Sequence, residues 1–350
     1  LLLLKVVLLL QMSSAPPEVR VIGGASLAFT GLVGLGCNLL LLVIFVKNVF
    51  TFRKTAFTVI TWQLIIGDLL VILAQLTVAV PIGLTGQQLF GKSIALPLLS
   101  FVDTIGFTSN MYFAFALILN RFTIFCAPAI NEWLFGRRSV YVSISIVWTI
   151  ILFRSIFTFA SGCWKTFRPD GFFFMTKCAA DVNGYALFLH HSTKYESYVI
   201  PSAIFVLYVT VLLRLHLGAK FRLSMPQMSL RKRNVEKKLL VQVGIPLLGR
   251  EPSADRLQSI IICGALQLET IAFSFFKKLG LEGNAYFYVN FLQNVLTIVN
   301  SSVHPIVLFV FNRDVRAGLT ALVKAASVVQ PFSVVPPSAI SGFRSTPLHK

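Results

Sequence analysis

A series of apolar blocks, each about as long as a bilayer is thick, constrains this chain more than any other feature. A helix needs ~20 predominantly apolar residues to cross the hydrocarbon core. "LAFTGLVGLGCNLLLLVIFV" (27–46) reaches that length without one Asp, Glu, Lys or Arg, and "VYVSISIVWTIILF" (140–153) approaches it. Soluble domains are about 25% charged; here 13% of residues are charged, 56% are hydrophobic and the mean hydropathy is +0.78. This balance excludes an ordinary soluble domain and makes the lipid bilayer the first partner. The net charge of +18 reads as loop charge rather than a nucleic-acid surface, because Lys and Arg collect in the cytoplasmic loops of membrane proteins.

The polar breaks divide the apolar sequence into seven predicted spans: 21–46, 56–80, 94–126, 139–161, 197–217, 257–276 and 284–311. After the seventh, "NRDVRAGLTALVKAA" spaces Val315, Leu319 and Leu322 for one face, which predicts an amphipathic helix at the membrane surface over 312–325. The fold class expected is an all-α membrane protein, a seven-transmembrane helix bundle with a short amphipathic helix after the seventh span. Residues 326–350 are Pro- and Ser-rich and read as a disordered cytoplasmic tail. With the N-terminus outside, 21 of the 31 Lys and Arg residues fall on the cytoplasmic side and nine outside, Arg154 lying within the fourth span. That bias fits the positive-inside rule.

Two stretches depart from this pattern. Residues 1–11, "LLLLKVVLLLQ", precede Met12 and read as translated upstream sequence, leaving 1–20 as an N-terminal segment. Residues 243–258, "VGIPLLGREPSADRLQ", carry two prolines and four charges next to the sixth span. They cannot continue a spanning helix. A retained intron or gene-model error, and a genuine long inner loop, both stand as readings.

Cys37, Cys126 and Cys263 fall in or beside spans, where a free cysteine packs as a small apolar residue. Cys163 and Cys178 flank an outside loop. Extracellular conditions favour a bridge between them; two unpaired thiols are the alternative. No nucleophile–base pair, zinc-type spacing or phosphate loop stands out, so the expectation is a non-enzyme with no cofactor and no metal site.

The polar residues inside the spans carry the functional signal. "LNRF" ends the third span with Asn120, Arg121 and Phe122, followed by Pro128; "GCNLL" holds Asn38, "LIIGDLL" holds Asp68, and Trp148 and Pro201 mark the fourth and fifth spans. The seventh ends "NSSVHPIVLFVFNRDVR". In this order the motifs resemble those of the rhodopsin-like G-protein-coupled receptors over residues 21–325. They are most similar to the nematode serpentine chemoreceptors of the class x group. That resemblance implies a plasma-membrane receptor with its N-terminus outside, in sensory neurons. It would bind a small external molecule, an odorant or pheromone, between its helices and activate a heterotrimeric G protein. Asn120, Arg121 and Phe122 are then the G-protein switch. The implied polar core is Asn38, Asp68, Asn110, Asn300, Ser301, His304 and Pro305, read as a structural hydrogen-bond cluster rather than a sodium site.

Departures from the family pattern accompany the match. Asn120 stands where the family has an acid, removing the local ion pair and implying raised basal activity. His304 and Leu308 replace the usual Asn and Tyr, Leu96 replaces the third-span cysteine, and the sixth span lacks the expected Trp and Pro. A ligand pocket is expected around Asp103, Phe107, Tyr112, Glu269, Phe273, Tyr286 and Asn290. Asp103 is read either as a grip for a ligand ammonium or as an aspartate at the wet outer end of its helix. A transporter or channel, and a non-functional receptor-like product, remain as rival readings.

Overall fold

The computed structural model describes residues 15–49, 55–89, 93–179, 184–224 and 283–328. The sixth span (257–276), with Cys263, Glu269 and Phe273, lies outside the described residues. So do 1–11, 243–258 and the tail beyond 328.

Helix α1 (Pro17–Lys47) starts with proline at its first position, where the missing N–H has no intrahelical partner to lose. Glu18 in its first turn and Lys47 in its last complement the helix dipole. Helix α2 (Ala56–Thr85) is capped by Thr55, whose side chain accepts from the Thr58 N–H. It widens to a π turn over Gln75–Ala79, where Val80 donates to the Gln75 carbonyl. Pro81 explains the change of ladder, since it has no N–H for the carbonyl four residues back. The helix closes at Gly86, whose φ of 66° suits glycine. It thus runs past the expected end near 80, because Pro81 displaces the ladder without stopping it.

Helix α3 (Ala95–Cys126) is followed by the short α4 (Pro128–Phe135) and by α5 (Ser139–Ala160). Pro128 forces Ala127 out of the helical region, to φ −148°, and so separates α3 from α4. Strands β1 (Cys163–Arg168) and β2 (Phe173–Cys178) pair antiparallel, Cys163 opposite Cys178 and Arg168 opposite Phe173. Helix α6 (Gly184–Ser224) occupies the fifth-span position, and α7 (Asn284–Phe311) and α8 (Arg313–Val328) complete the chain. Helix α6 starts well before residue 197 because Ser192, Thr193 and Glu196, polar enough to read as loop, have a partner in Arg154 of α5. Helix α8 runs past 325 into the predicted tail. Asn312 caps it by accepting from the Asp314 and Val315 N–H groups.

Helix α3 packs on α2, α5 and α6, while α7 packs on α1 and α2. The close approach of α2 and α3 depends on two glycines. A Cβ at Gly67 would collide with the Ser109 and Asn110 side chains, and one at Gly106 would meet the Val71 backbone nitrogen. Val315, Leu319 and Leu322 of α8 pack against Leu41, Ile44 and Phe45 of α1, the face expected from their spacing. The outer surface is apolar: Phe29, Leu32, Val33 and Val43 on α1 and Val142, Ile146, Phe153 and Ile156 on α5 are exposed. Lipid accepts such faces, whereas water would not. Among the described residues, α1, α2, α3, α5 and α7 are long and apolar enough to span a membrane.

Candidate functional site

At the inner end of α3, Asn120 is buried and its amide donates to Asn131 Oδ1 of α4 at 3.0 Å. Thr123 donates to the same oxygen at 3.0 Å. The asparagine that stands in place of an acid therefore latches the second inner loop to α3. Arg121 lies with its guanidinium 4.5 Å from the centre of the Phe57 ring of α2, a geometry that favours a cation. Phe122 is half-buried beside it.

One layer deeper, the structure brings together Asn38, Asp68, Asn110, Ser301 and His304. Pro305 cannot donate to the carbonyl four residues back, which leaves the Ser301 oxygen without its helical partner. The Asn38 amide donates to that oxygen at 3.0 Å, and also to the Gly34 carbonyl at 3.0 Å. Asn110 donates to Asp68 Oδ1 at 2.7 Å, and Gly67 makes room for it. His304 Nδ1 is 3.3 Å from Asp68 Oδ2, and both residues are almost fully buried. A carboxylate in this position needs a nearby donor or positive charge, and the imidazole and the Asn110 amide face it. Asn300 is also buried, on the same helix. Among the described residues no group of three or more His, Cys, Asp or Glu has the disposition of a metal site.

The β1–β2 hairpin covers the outer end. Cys163 and Cys178 are joined by a disulfide within it. Asp103, 3% exposed, is paired with Lys165 of β1, whose ammonium also lies 4.9 Å from the Phe174 ring centre. The hairpin turn carries an Arg168–Asp170 ion pair. Hydrogen bonding from Arg168 holds the Asp170 carboxyl below its ordinary range, and the same bond raises the guanidinium. At the tip, Phe167 and Phe172 are fully buried among residues of α1, α2, α3 and α7. Asn290 donates to the Gly171 carbonyl at 2.6 Å. Tyr286 is half-buried, its ring 5.7 Å from Phe287, and Phe107 is half-buried on α3.

Tyr112 belongs elsewhere. Its hydroxyl donates to Glu196 Oε2 at 3.1 Å and accepts from Arg154 Nη1 at 3.2 Å. Arg154 also donates to Glu196 Oε1 at 2.6 Å, Ser192 Oγ at 3.1 Å and Thr193 Oγ1 at 3.0 Å. One arginine thus joins α3, α5 and α6. The sequence signal for it was the arginine inside a span, a costly placement without a partner; the partner, 42 residues away, carried no signal of its own.

A family model for the serpentine type 7TM GPCR chemoreceptor Srx matches residues 29–245. No curated protein matches the sequence. Among solved structures, a crystal structure of squid rhodopsin is similar at a TM-score of 0.63, with 12% identity, over 92% of this chain and 90% of that one. At that identity the likeness speaks for the seven-transmembrane fold alone.

Proposed function

The chain belongs to the serpentine type 7TM GPCR chemoreceptor Srx family, and from that premise we propose that it is a plasma-membrane receptor, N-terminus outside, which couples a small external ligand to a heterotrimeric G protein. Odorants and pheromones are the ligand class, and sensory neurons the setting. The observation that carries the reading is the inner end of α3. Arg121 lies there with its guanidinium 4.5 Å from the centre of the Phe57 ring, next to a neutral Asn120 that is turned toward α4. That contact contributes ~0.5–2 kcal/mol, and the residue before Arg121 carries no charge to pair with it. The Asp68–Asn110–His304 and Asn38–Ser301 contacts link α1, α2, α3 and α7 in the middle of the bundle. They give movement at the outer end a route to the inner one.

The test exposes intact cells to mixtures of small volatile and water-soluble compounds and reads dissociation of co-expressed G proteins. The expected result is a response from the natural chain that disappears in Arg121→Ala at equal surface level. A response that survives Arg121→Ala would contradict the assignment. A ligand-evoked ion current in cells lacking G proteins would favour a channel.

A further inference from the structure

We propose that the outer crevice between α1, α2 and α7 is a binding site for an aromatic ring flanked by two amide carbonyls, as in N-acylated aromatic amino-acid amides, and that the chain's own Gly171–Phe172 occupies it as an internal ligand. The inference names a ligand class for the receptor proposed above and rests on that reading.

The site is built from α7. Asn290 and Asn294 are four residues apart and so share one face. Asn290 donates to the Gly171 carbonyl at 2.6 Å, and Asn294, 7% exposed, donates to the Phe172 carbonyl at 2.8 Å. Between those two carbonyls the Phe172 ring stacks on Phe291, centroids 4.5 Å apart and planes within 21°. Phe287 meets its edge at 5.6 Å. Phe291 in turn lies where a Cβ on Gly23 of α1 would fall, so α1 has been cut back to seat the platform. Ring and carbonyls are read at once: stacking selects an aromatic, and the buried Asn294 amide, with the half-buried Asn290 beside it, penalises an occupant lacking acceptors.

The tip is held from outside the hairpin as well as from within it. Phe172 has φ 53°, the one non-glycine positive value among the described residues. That conformation is unfavourable for a bulky side chain and persists only when its surroundings hold it. Here the turn's own bond from the Phe172 N–H to the Arg168 carbonyl, 2.8 Å, is joined by the Asn290 and Asn294 donors and the two phenylalanines. The hairpin that delivers the tip is closed on itself by Cys163–Cys178 and is fastened to α3 through Lys165 and Asp103. An external molecule with the same ring and carbonyls would meet the same donors once the tip withdraws.

N-acetyl-L-phenylalaninamide reproduces the group: its acetyl carbonyl corresponds to that of Gly171 and its carboxamide carbonyl to that of Phe172. The experiment uses the full chain carrying Phe172→Gly, which removes the ring and with it the stacking that seats the tip, so that the carbonyls of residues 171 and 172 can leave Asn290 and Asn294 to the probe. In thermal unfolding, saturating probe is expected to raise the midpoint of Phe172→Gly by about 2–4 °C. The natural chain, already occupied, should not shift. Toluene, which offers the ring alone, and N-acetyl-L-alaninamide, which offers the carbonyls alone, should give less than half the effect. Adding Asn294→Ala should remove it. If Phe172→Gly is retained inside the cell, its surface level becomes the readout, and the probe in the medium should raise it about threefold where the controls do not. No shift and no rescue, or equal effects from toluene, would show the crevice to be a packing site and overturn the proposal. Neither readout involves a G protein. A chain that binds the probe without signalling would contradict only the receptor reading, and one that signals but ignores the probe would contradict only this inference.

Discussion

Single residues decide the polar interior. Asn38→Ala leaves the Ser301 carbonyl, already stripped of its helical donor by Pro305, without the amide that satisfies it. A buried orphan of this kind costs ~1–3 kcal/mol, and a matching fall in thermal midpoint is the expected result. The Arg154–Glu196 pair makes a different prediction. Removing Glu196 alone leaves a charge inside the membrane region, so Glu196→Leu should destabilise more than the double change Arg154→Met with Glu196→Leu. A double variant that is worse than either single one would contradict a simple pair. At the hairpin turn, the Asp170 carboxyl is depressed by Arg168. Its stabilising contribution is therefore full above the ordinary aspartate pKa of about 4 and is lost as pH falls through the lower folded value. Hydrogen exchange of the hairpin should not respond to this pair between neutral pH and about pH 5. At this scale the sequence was readable where one residue type implies one need: an Asn, an Asp and a Pro inside apolar spans each call for partners. It was unreadable where the need is met from afar, as with Tyr112, placed in the ligand pocket from its position on the third span but turned toward Arg154 and Glu196.

At the scale of elements, α2 and α3 share the most extensive contact among the described helices, and Gly67 and Gly106 permit it. Gly106→Val would drive a side chain into the backbone of α2 at Val71. Surface expression is expected to fall at least several-fold, since overpacking of a buried helix contact costs ~1–3 kcal/mol or more. Normal expression of this variant would show that the helices can separate there. Apolar length located α1, α2, α3, α5 and α7 among the described residues, and the spacing of Val315, Leu319 and Leu322 located the face of α8. The start of α6 was not legible, because its first turns carry polar side chains whose partner is Arg154. The hairpin was not legible either. Its register depends on the Cys163–Cys178 pairing and on a buried tip, and neither leaves a periodic pattern in so short a stretch.

For the whole molecule, the charge distribution and the fold make one topological prediction. An epitope placed at the N-terminus should be labelled on intact cells, and one placed after Val328 only after permeabilisation. The reverse pattern would turn Arg121 outward and remove it from any G protein. The central proposal is that the inner end of α3 is a G-protein switch without the local ion pair of the family pattern: Asn120 is neutral and engaged with Asn131, and Arg121 lies on the Phe57 ring. Basal nucleotide exchange tests this most directly. Membranes holding equal amounts of the natural chain, Asn120→Asp and Arg121→Ala would each be mixed with G proteins of the different Gα classes, and GTPγS uptake measured without ligand. The expected result is exchange above background in at least one class for the natural chain. Asn120→Asp should reduce it by roughly 3-fold or more, in line with an added local ion pair, and Arg121→Ala should abolish it. Equal uptake by all three chains in every class would contradict the claim.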